Sequence, residues 1–272
     1  MNRNSNSIWK NFRIDFRTGL AQYKVAWLLS KFSMKANFIN TKIGPFWITL
    51  NSLTYVLFFA ILKNLFFGSA GISTDVARIY VAFTLFTMST AGIREGSASF
   101  SRHRVYLESS AIPLTTILLK SYFDIIRTSF YSILVIPVVL LWSGINPNWN
   151  QAFWLLVWFL IWSLLIIGMS AWLGIVTVQL PDISPLLQSL LTGLMFMTPI
   201  WWNASDVKSG FGETIVSSNP FAWCIQSVSG VFYGSDADLL SLTKMSLFAG
   251  LNLMLAWLVL TVVGRKIIYW IG

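Results

Sequence analysis

The chain has 272 residues, 56% hydrophobic and 11% charged, with mean hydropathy +0.67 and a formal net charge of +9. Soluble domains carry roughly a quarter charged residues, so the composition excludes a soluble globular protein and points to an integral membrane protein. One cysteine, Cys224, excludes an internal disulfide and a cysteine-based metal cluster.

Residues 1–45 are polar and basic and hold no short apolar core ahead of a small-residue cleavage site, so no cleaved signal peptide is expected. Lys10, Arg17, Lys24 and Lys31 recur every seven residues, with Lys35 four further on, and share one helical face. Phe16, Leu20, Tyr23, Trp27 and Met34 form a line about a quarter turn round from it. This pattern predicts an amphipathic helix on the membrane surface, its rings at the acyl boundary and its lysines reaching lipid phosphates.

Apolar runs of about membrane-spanning length follow at 46–66, 77–95, 128–143, 153–178, 184–202 and 242–263. A transmembrane barrel would show short alternating segments instead, because lipid-exposed backbone must bond internally. The predicted fold is therefore all-α and polytopic, with six transmembrane helices over 46–272 behind the arm and interfacial helix of 1–45. In the first span Tyr55, Phe58 and Phe59 stand at i, i+3, i+4 spacing and form one stripe. Lys63 lies one turn from that span's outer end, where snorkelling to the interface is the expected behaviour.

Fifteen of the nineteen Lys and Arg residues lie on the arm, on 94–127 or at the C-terminus. The exceptions are Lys63, Arg78, Lys208 and Lys244. This bias predicts both termini in the cytoplasm. Membrane topology accounts for the net charge without any nucleic-acid partner.

The stretch "GSASFSRHRVYLESSAIPLTTILLKSYFDIIRT", 96–128, combines charge, small residues and Pro113 and then runs as an amphipathic segment into span three. A cytoplasmic excursion of this kind in a compact membrane protein reads as a docking surface. His103, the only histidine, sits in a basic Arg-His-Arg cluster that offers it no catalytic partners.

"QLPDISPLLQSLLTGLMFMTPIWW", 179–202, places Pro181 and Asp182 at a turn and Pro185 in the first turn of span five, where a missing N–H costs nothing. Pro199 should bend or end that helix, and Trp201 and Trp202 reach the far interface. The segment 203–241 contains "SSNPFAWCIQSVSGVFYG" and is too apolar for a free loop, so short outer re-entrant helices are expected there. Asp236-Ala237-Asp238 mimics a metal-nucleotide motif, but a helix cap before span six is the simpler reading. Cys224 reads as a small packing residue. No G-x-x-x-x-G-K-S/T phosphate loop and no metal-ligand cluster occurs in the sequence.

"NTKIGPFWITLNSLTYVLFFAILKNLFF" resembles the first span of ABC-2-type permeases, above all those of O-antigen, capsular polysaccharide and teichoic-acid exporters. The matching residues are Ile43-Gly44-Pro45-Phe46-Trp47, behind a basic interfacial helix. "LGIVTVQLPDISPLLQSLLTGLMFMTPIWW" is similar to the family's fifth-span entry and exit, at Pro181-Asp182-Ile183 and Thr198-Pro199-Ile200. Asn219-Pro220-Phe221 is similar to the motif of its outer re-entrant region. Pro181 stands where the family places an arginine, and Gln226 and Ser229 where many members have another.

The resemblance implies the permease subunit of an ABC exporter of polysaccharide or lipid-linked polysaccharide in the cytoplasmic (cell inner) membrane. Two copies would form the pathway, each bound to an ATPase subunit that holds ATP and magnesium, with no cofactor in this chain. Arg102, Arg104 and Glu108 are the expected coupling contacts, Gly44-Pro45 the hinge between arm and span one, and Tyr55, Phe58, Phe59, Trp201 and Trp202 the substrate path. The alternative readings are an ABC-2 exporter of small molecules and a membrane-embedded glycan-modifying enzyme.

Overall fold

The computed structural model describes residues 13–67, 71–108, 112–202, 210–263 and 267. Arg3, Lys10, Lys208, Arg265 and Lys266 lie outside the described residues. The arm forms helix α1 over 13–21 and α2 over Tyr23–Asn37, parted by a turn at Gln22. Next come α3 (Phe46–Phe67), α4 (Ile72–Arg94) and the short α5 (Ser99–Arg102) and α6 (Arg104–Glu108). The third crossing joins α7 (Leu114–Ile133) to α8 (Ile136–Ser143). After it stand α9 (Ala152–Gln179), α10 (Ile183–Met197), α11 (Gly210–Ser218), α12 (Pro220–Phe232) and α13 (Leu239–Val263). No strand occurs among the described residues.

Among the described residues five helices are long and apolar enough to cross a membrane: Phe46–Phe66, Ile72–Arg94, Leu114–Ser143, Trp149–Gln179 and Leu239–Val263. The expected sixth, 184–202, is shorter. Its helix ends at Met197, because Thr198 turns extended (φ −97°, ψ 140°) and Pro199 cannot continue the ladder. At 15 residues, α10 is below the roughly 20 that a straight crossing needs. The third crossing begins at Leu114, far ahead of the expected 128, because the amphipathic run before it is helical and packs on the arm. Pro137, in the first turn of α8, lacks the N–H that would carry the ladder back into α7.

The core is built on α4, which touches α3, α7, α8, α9, α10 and α12. Its Val76, Ala77, Ile79, Tyr80 and Val81 are buried, and so are Ser89 and Thr90 near its other end. Polar ends of large rings tie neighbours to it: Trp162 Nε1 donates to the Met88 carbonyl at 2.9 Å, and Tyr80 Oη to that of Ser132 at 3.0 Å. Such bonds satisfy groups that lipid could not. Cys224 is a buried packing residue, as expected, and its carbonyl accepts from Trp158 Nε1 at 2.8 Å.

The arm lies along α7 through a face of small residues, Gly19, Ala26 and Ser30, all buried. A Cβ at Gly19 would stand 2.4 Å from Thr115 Cβ, so only glycine permits this approach. Asp15 accepts from the backbone N–H groups of Leu114 and Thr115, at 3.1 and 3.2 Å, and so caps the start of α7 across the interface. Of the aromatic line read from the sequence, Phe16, Leu20, Tyr23 and Trp27 are exposed, Trp27 with one edge against Phe123 of α7, while Met34 is half-buried at a cleft beside α7.

Candidate functional site

Two regions hold the residues singled out by sequence, one at each end of the bundle. At the end where the arm lies, Gly44 adopts φ 63°, a left-handed conformation that glycine takes without strain. It stands in the turn that separates α2 from α3, and the N–H of Trp47 returns to its carbonyl at 3.2 Å. Asp182 is exposed at the start of α10 and makes no side-chain cap.

The segment between α4 and α7 folds against the same end. Phe100 and Leu107 are buried beside Leu114, Ile117 and Ile175, which fastens α5 and α6 to α7 and α9. Thr177 Oγ1 donates to the Ser97 carbonyl, and Gly96 packs directly on Ser170, so the segment is locked to α9. Arg102 turns back on Glu95 at 2.6 Å, a half-exposed pair. Arg104 is exposed on α6, and the Glu108 side chain lies outside the described residues.

Beneath this segment opens a cleft of about 500 Å³ whose polar lining includes Glu95, Arg102, His103, Lys120, Asp124 and Arg127. Lys120, buried, pairs with Asp124 at 2.7 Å and donates to Ser33 Oγ at 3.2 Å. His103 Nδ1 bonds the Ser99 carbonyl at 2.6 Å, which makes that nitrogen the protonated one. Burial, helped by the charges of Lys120 and Arg102, lowers the pKa of this imidazole below its ordinary value. Through Nδ1 the ring serves as a positioned donor that ties it to the start of α5. Sequence reading did not bring Lys120, Asp124 and Arg127 to this cleft, because the arm that completes it is remote in the chain.

At the far end the rings converge. Trp201 stacks on Phe59 with centroids 4.0 Å apart and lies 5.8 Å from Phe83. Tyr55 stacks on Phe83 at 6.4 Å, Phe58 meets Phe59 at 5.7 Å, and Phe196 meets Phe59 at 6.3 Å. Trp202 Nε1 donates to the Phe196 carbonyl at 3.2 Å. Phe83 and Phe196 belong to this cluster and were missed, since neither falls on the i, i+3, i+4 stripe of span one. Tyr55 and Phe58 remain more than half exposed.

Just behind the cluster, the two motif loops close on each other. Asn219 Nδ2 donates to Thr198 Oγ1 at 2.9 Å, while Asn219 Oδ1 accepts from the Phe221 N–H at 3.0 Å and caps α12. Pro220 follows in the first turn of that helix, where its missing N–H has no cost. Asp238 caps α13 through the N–H groups of Leu240 and Ser241, as its position predicts. Lys63 does not snorkel: it pairs with Asp75, at the start of α4, at 2.8 Å. No group of three or more metal-ligating side chains occurs among the described residues.

The family model of the ABC-2 type transporter matches residues 28–233. The chain belongs to that family. Comparison with curated proteins finds no match. As an ABC-2 protein it is the transmembrane permease component of an ABC transporter. Permeases of this family generally lack an ATPase site of their own, which agrees with the missing phosphate loop, and membership implies an ABC ATPase partner. The permease is accordingly a multi-pass membrane protein, and its arm-end cleft and far-end ring cluster sit at opposite ends of the crossing helices.

Proposed function

We propose that this permease exports polysaccharide or lipid-linked polysaccharide across the cytoplasmic membrane, as a homodimer carrying two ABC ATPase subunits. The observation that carries the reading is the run of rings Tyr55, Phe83, Trp201, Phe59 and Phe196, which crosses from span one to the end of α10. Sugars present flat patches of C–H groups to rings while their hydroxyls stay wet. A sliding polymer needs many weak repeated contacts, because one tight site would stall it, as with ions in a pore. Aromatic faces provide these without a fixed hydrogen-bond register.

The arm end faces the cytoplasm, since the basic residues collect there. Arg102, Arg104 and Glu108 meet the ATPase subunit, where ATP and magnesium are bound. Its closing motion passes through α5 and α6 into α4 and α9, to which Gly96, Ser97 and Phe100 fasten them. The turn at Gly44-Pro45 lets the arm tilt against α3. The apolar faces of α3 and α10 carry exposed side chains along most of their length, which supports a second copy against them.

Co-expression with an ABC ATPase subunit, followed by polysaccharide uptake into inverted vesicles, tests the reading. ATP-dependent uptake is expected, and charge reversal at Arg102, Arg104 and Glu108 together should loosen the ATPase and abolish uptake. ATP-driven movement of small lipophilic compounds but of no glycan would overturn the substrate class. Glycan modification by the chain without an ATPase would overturn the exporter itself.

A further inference from the structure

Two recesses flank the seam between the arm and the third span. One is the polar cleft of about 500 Å³, to which Lys120, Asp124 and Arg127 contribute. The other is an apolar groove of about 470 Å³ lined by Tyr23, Lys24, Trp27, Leu28 and Phe123. They meet at one contact. The Arg127 guanidinium lies 3.7 Å from the centroid of the Trp27 ring, and Trp27 packs edge-on to Phe123 at 5.2 Å.

Arg127 spends its Nε–H on Ser30 Oγ at 3.0 Å and an Nη–H on the Trp27 carbonyl at 3.3 Å. Among the described residues no carboxylate forms an ion pair with it, and Asp124 of the same cleft is held by Lys120. The remaining guanidinium edge suits an anion. Lys24 adds a cation at the rim of the groove. Tyr23, Trp27 and Leu28 expose 52%, 45% and 50% of their surface, an apolar lining that only hydrocarbon covers favourably.

The geometry points to a binding site for one anionic glycerophospholipid, with its phosphate at Arg127 and Lys24 and one acyl chain against Trp27, Leu28 and Phe123. A free phosphate has no use for the groove, and a sugar none for its uniformly apolar floor. A zwitterionic lipid would bring a second cation to the guanidinium. The adjoining of a cation without a carboxylate and an open apolar groove selects an anionic amphiphile. Its bound form bridges α2 and α7, reinforcing the contacts of Ser30 and Ser33 with Arg127 and Lys120. The site is independent of which substrate the permease exports.

The test is titration of the purified full chain in detergent with phosphatidylglycerol or phosphatidylcholine, counting bound lipids by native mass spectrometry. One phosphatidylglycerol per chain should bind roughly tenfold more tightly than phosphatidylcholine, because both phosphates can meet Arg127 but choline brings a second cation up to it and to Lys24. Arg127→Gln should erase that preference, Arg127→Lys should retain part of it, and Phe123→Ala should weaken both lipids. Should Arg127→Gln not fold, Lys24→Gln must still lower phosphatidylglycerol binding and Phe123→Ala must lower both. Equal binding of the two lipids by the wild type, or a preference that survives these changes, overturns the proposal. Displacement of phosphatidylglycerol by a tighter-binding polyprenyl diphosphate overturns it too, and gives the groove to a carrier lipid.

Discussion

At Asn219 one buried amide serves two elements, donating to Thr198 and accepting from the first turn of α12. Asn219→Ala removes both bonds, at a cost of about 1–3 kcal/mol for the buried bond and about 1 for the cap. Asn219→Ser keeps a cap acceptor for the Phe221 N–H without burying a charge but is too short to reach Thr198, so its loss should be intermediate. Thermal unfolding in detergent ranks the three proteins, and equal midpoints would show that the clasp contributes nothing. Lys63 and Asp75 form a second residue-scale unit, with side chains 21% and 5% exposed. Lys63→Met leaves a buried carboxylate without its cation, which costs about 3–5 kcal/mol. Adding Asp75→Leu should restore most of that stability, because the orphaned charge and not the lost attraction dominates. A double variant less stable than the single one would contradict this. Lys63 was legible as an unusual charge within a span, but its partner was not, because Asp75 follows the turn into the next helix.

The arm illustrates what a single element reveals of itself. Its lysine face and aromatic line are plain in the heptad spacing, since most of their described side chains are exposed and each pattern is local to the helix. The third face, Gly19, Ala26 and Ser30, carries no hydrophobic signal, because close helix packing in membranes uses small residues instead of large ones. Gly19→Val should push the arm off α7, since the added Cβ would meet Thr115 at 2.4 Å. Hydrogen exchange across 13–37 and 114–127 should rise together, by roughly tenfold or more if about 1–3 kcal/mol of overpacking strain falls on this contact. Unchanged protection would show that α7 yields without releasing the arm. The α10 helix teaches the reverse lesson. Its breaker Pro199 was plain in the sequence, and by holding Thr198 extended it ends the helix at Met197, but that Thr198 then meets Asn219 was not legible.

In the whole molecule α4 is enclosed by neighbours while α3 and α10 stay largely open. In the proposed homodimer a second copy would cover α3 and α10, while lipid would cover α13, which is similarly open. Under the proposed function, Tyr55→Ala with Phe58→Ala should slow export severalfold while the amount of protein in the membrane stays nearly constant, because both side chains lie mostly outside the core. Phe59→Ala should lower both, since Phe59 is stacked on Trp201 inside the cluster. Export assays normalised to membrane protein separate the two outcomes. Proportional losses in the Tyr55 and Phe58 variant would make its rings packing residues only.

Hydrophobic run length and charge asymmetry were enough to establish from sequence an all-helical membrane chain, most of its crossings and the motifs of its family. These are signals of the lipid solvent, which acts on each segment separately, so each segment carries its own record. The start of the third crossing at Leu114, the pairing of Lys63 with Asp75 and the meeting of Thr198 with Asn219 were decided only by tertiary structure. The joining of Phe83 and Phe196 to the ring cluster and the seam at Trp27 and Arg127 belong with them. Each depends on residues far apart in the chain that share one small volume, and local periodicity holds no information about which distant polar group will satisfy a buried donor or charge.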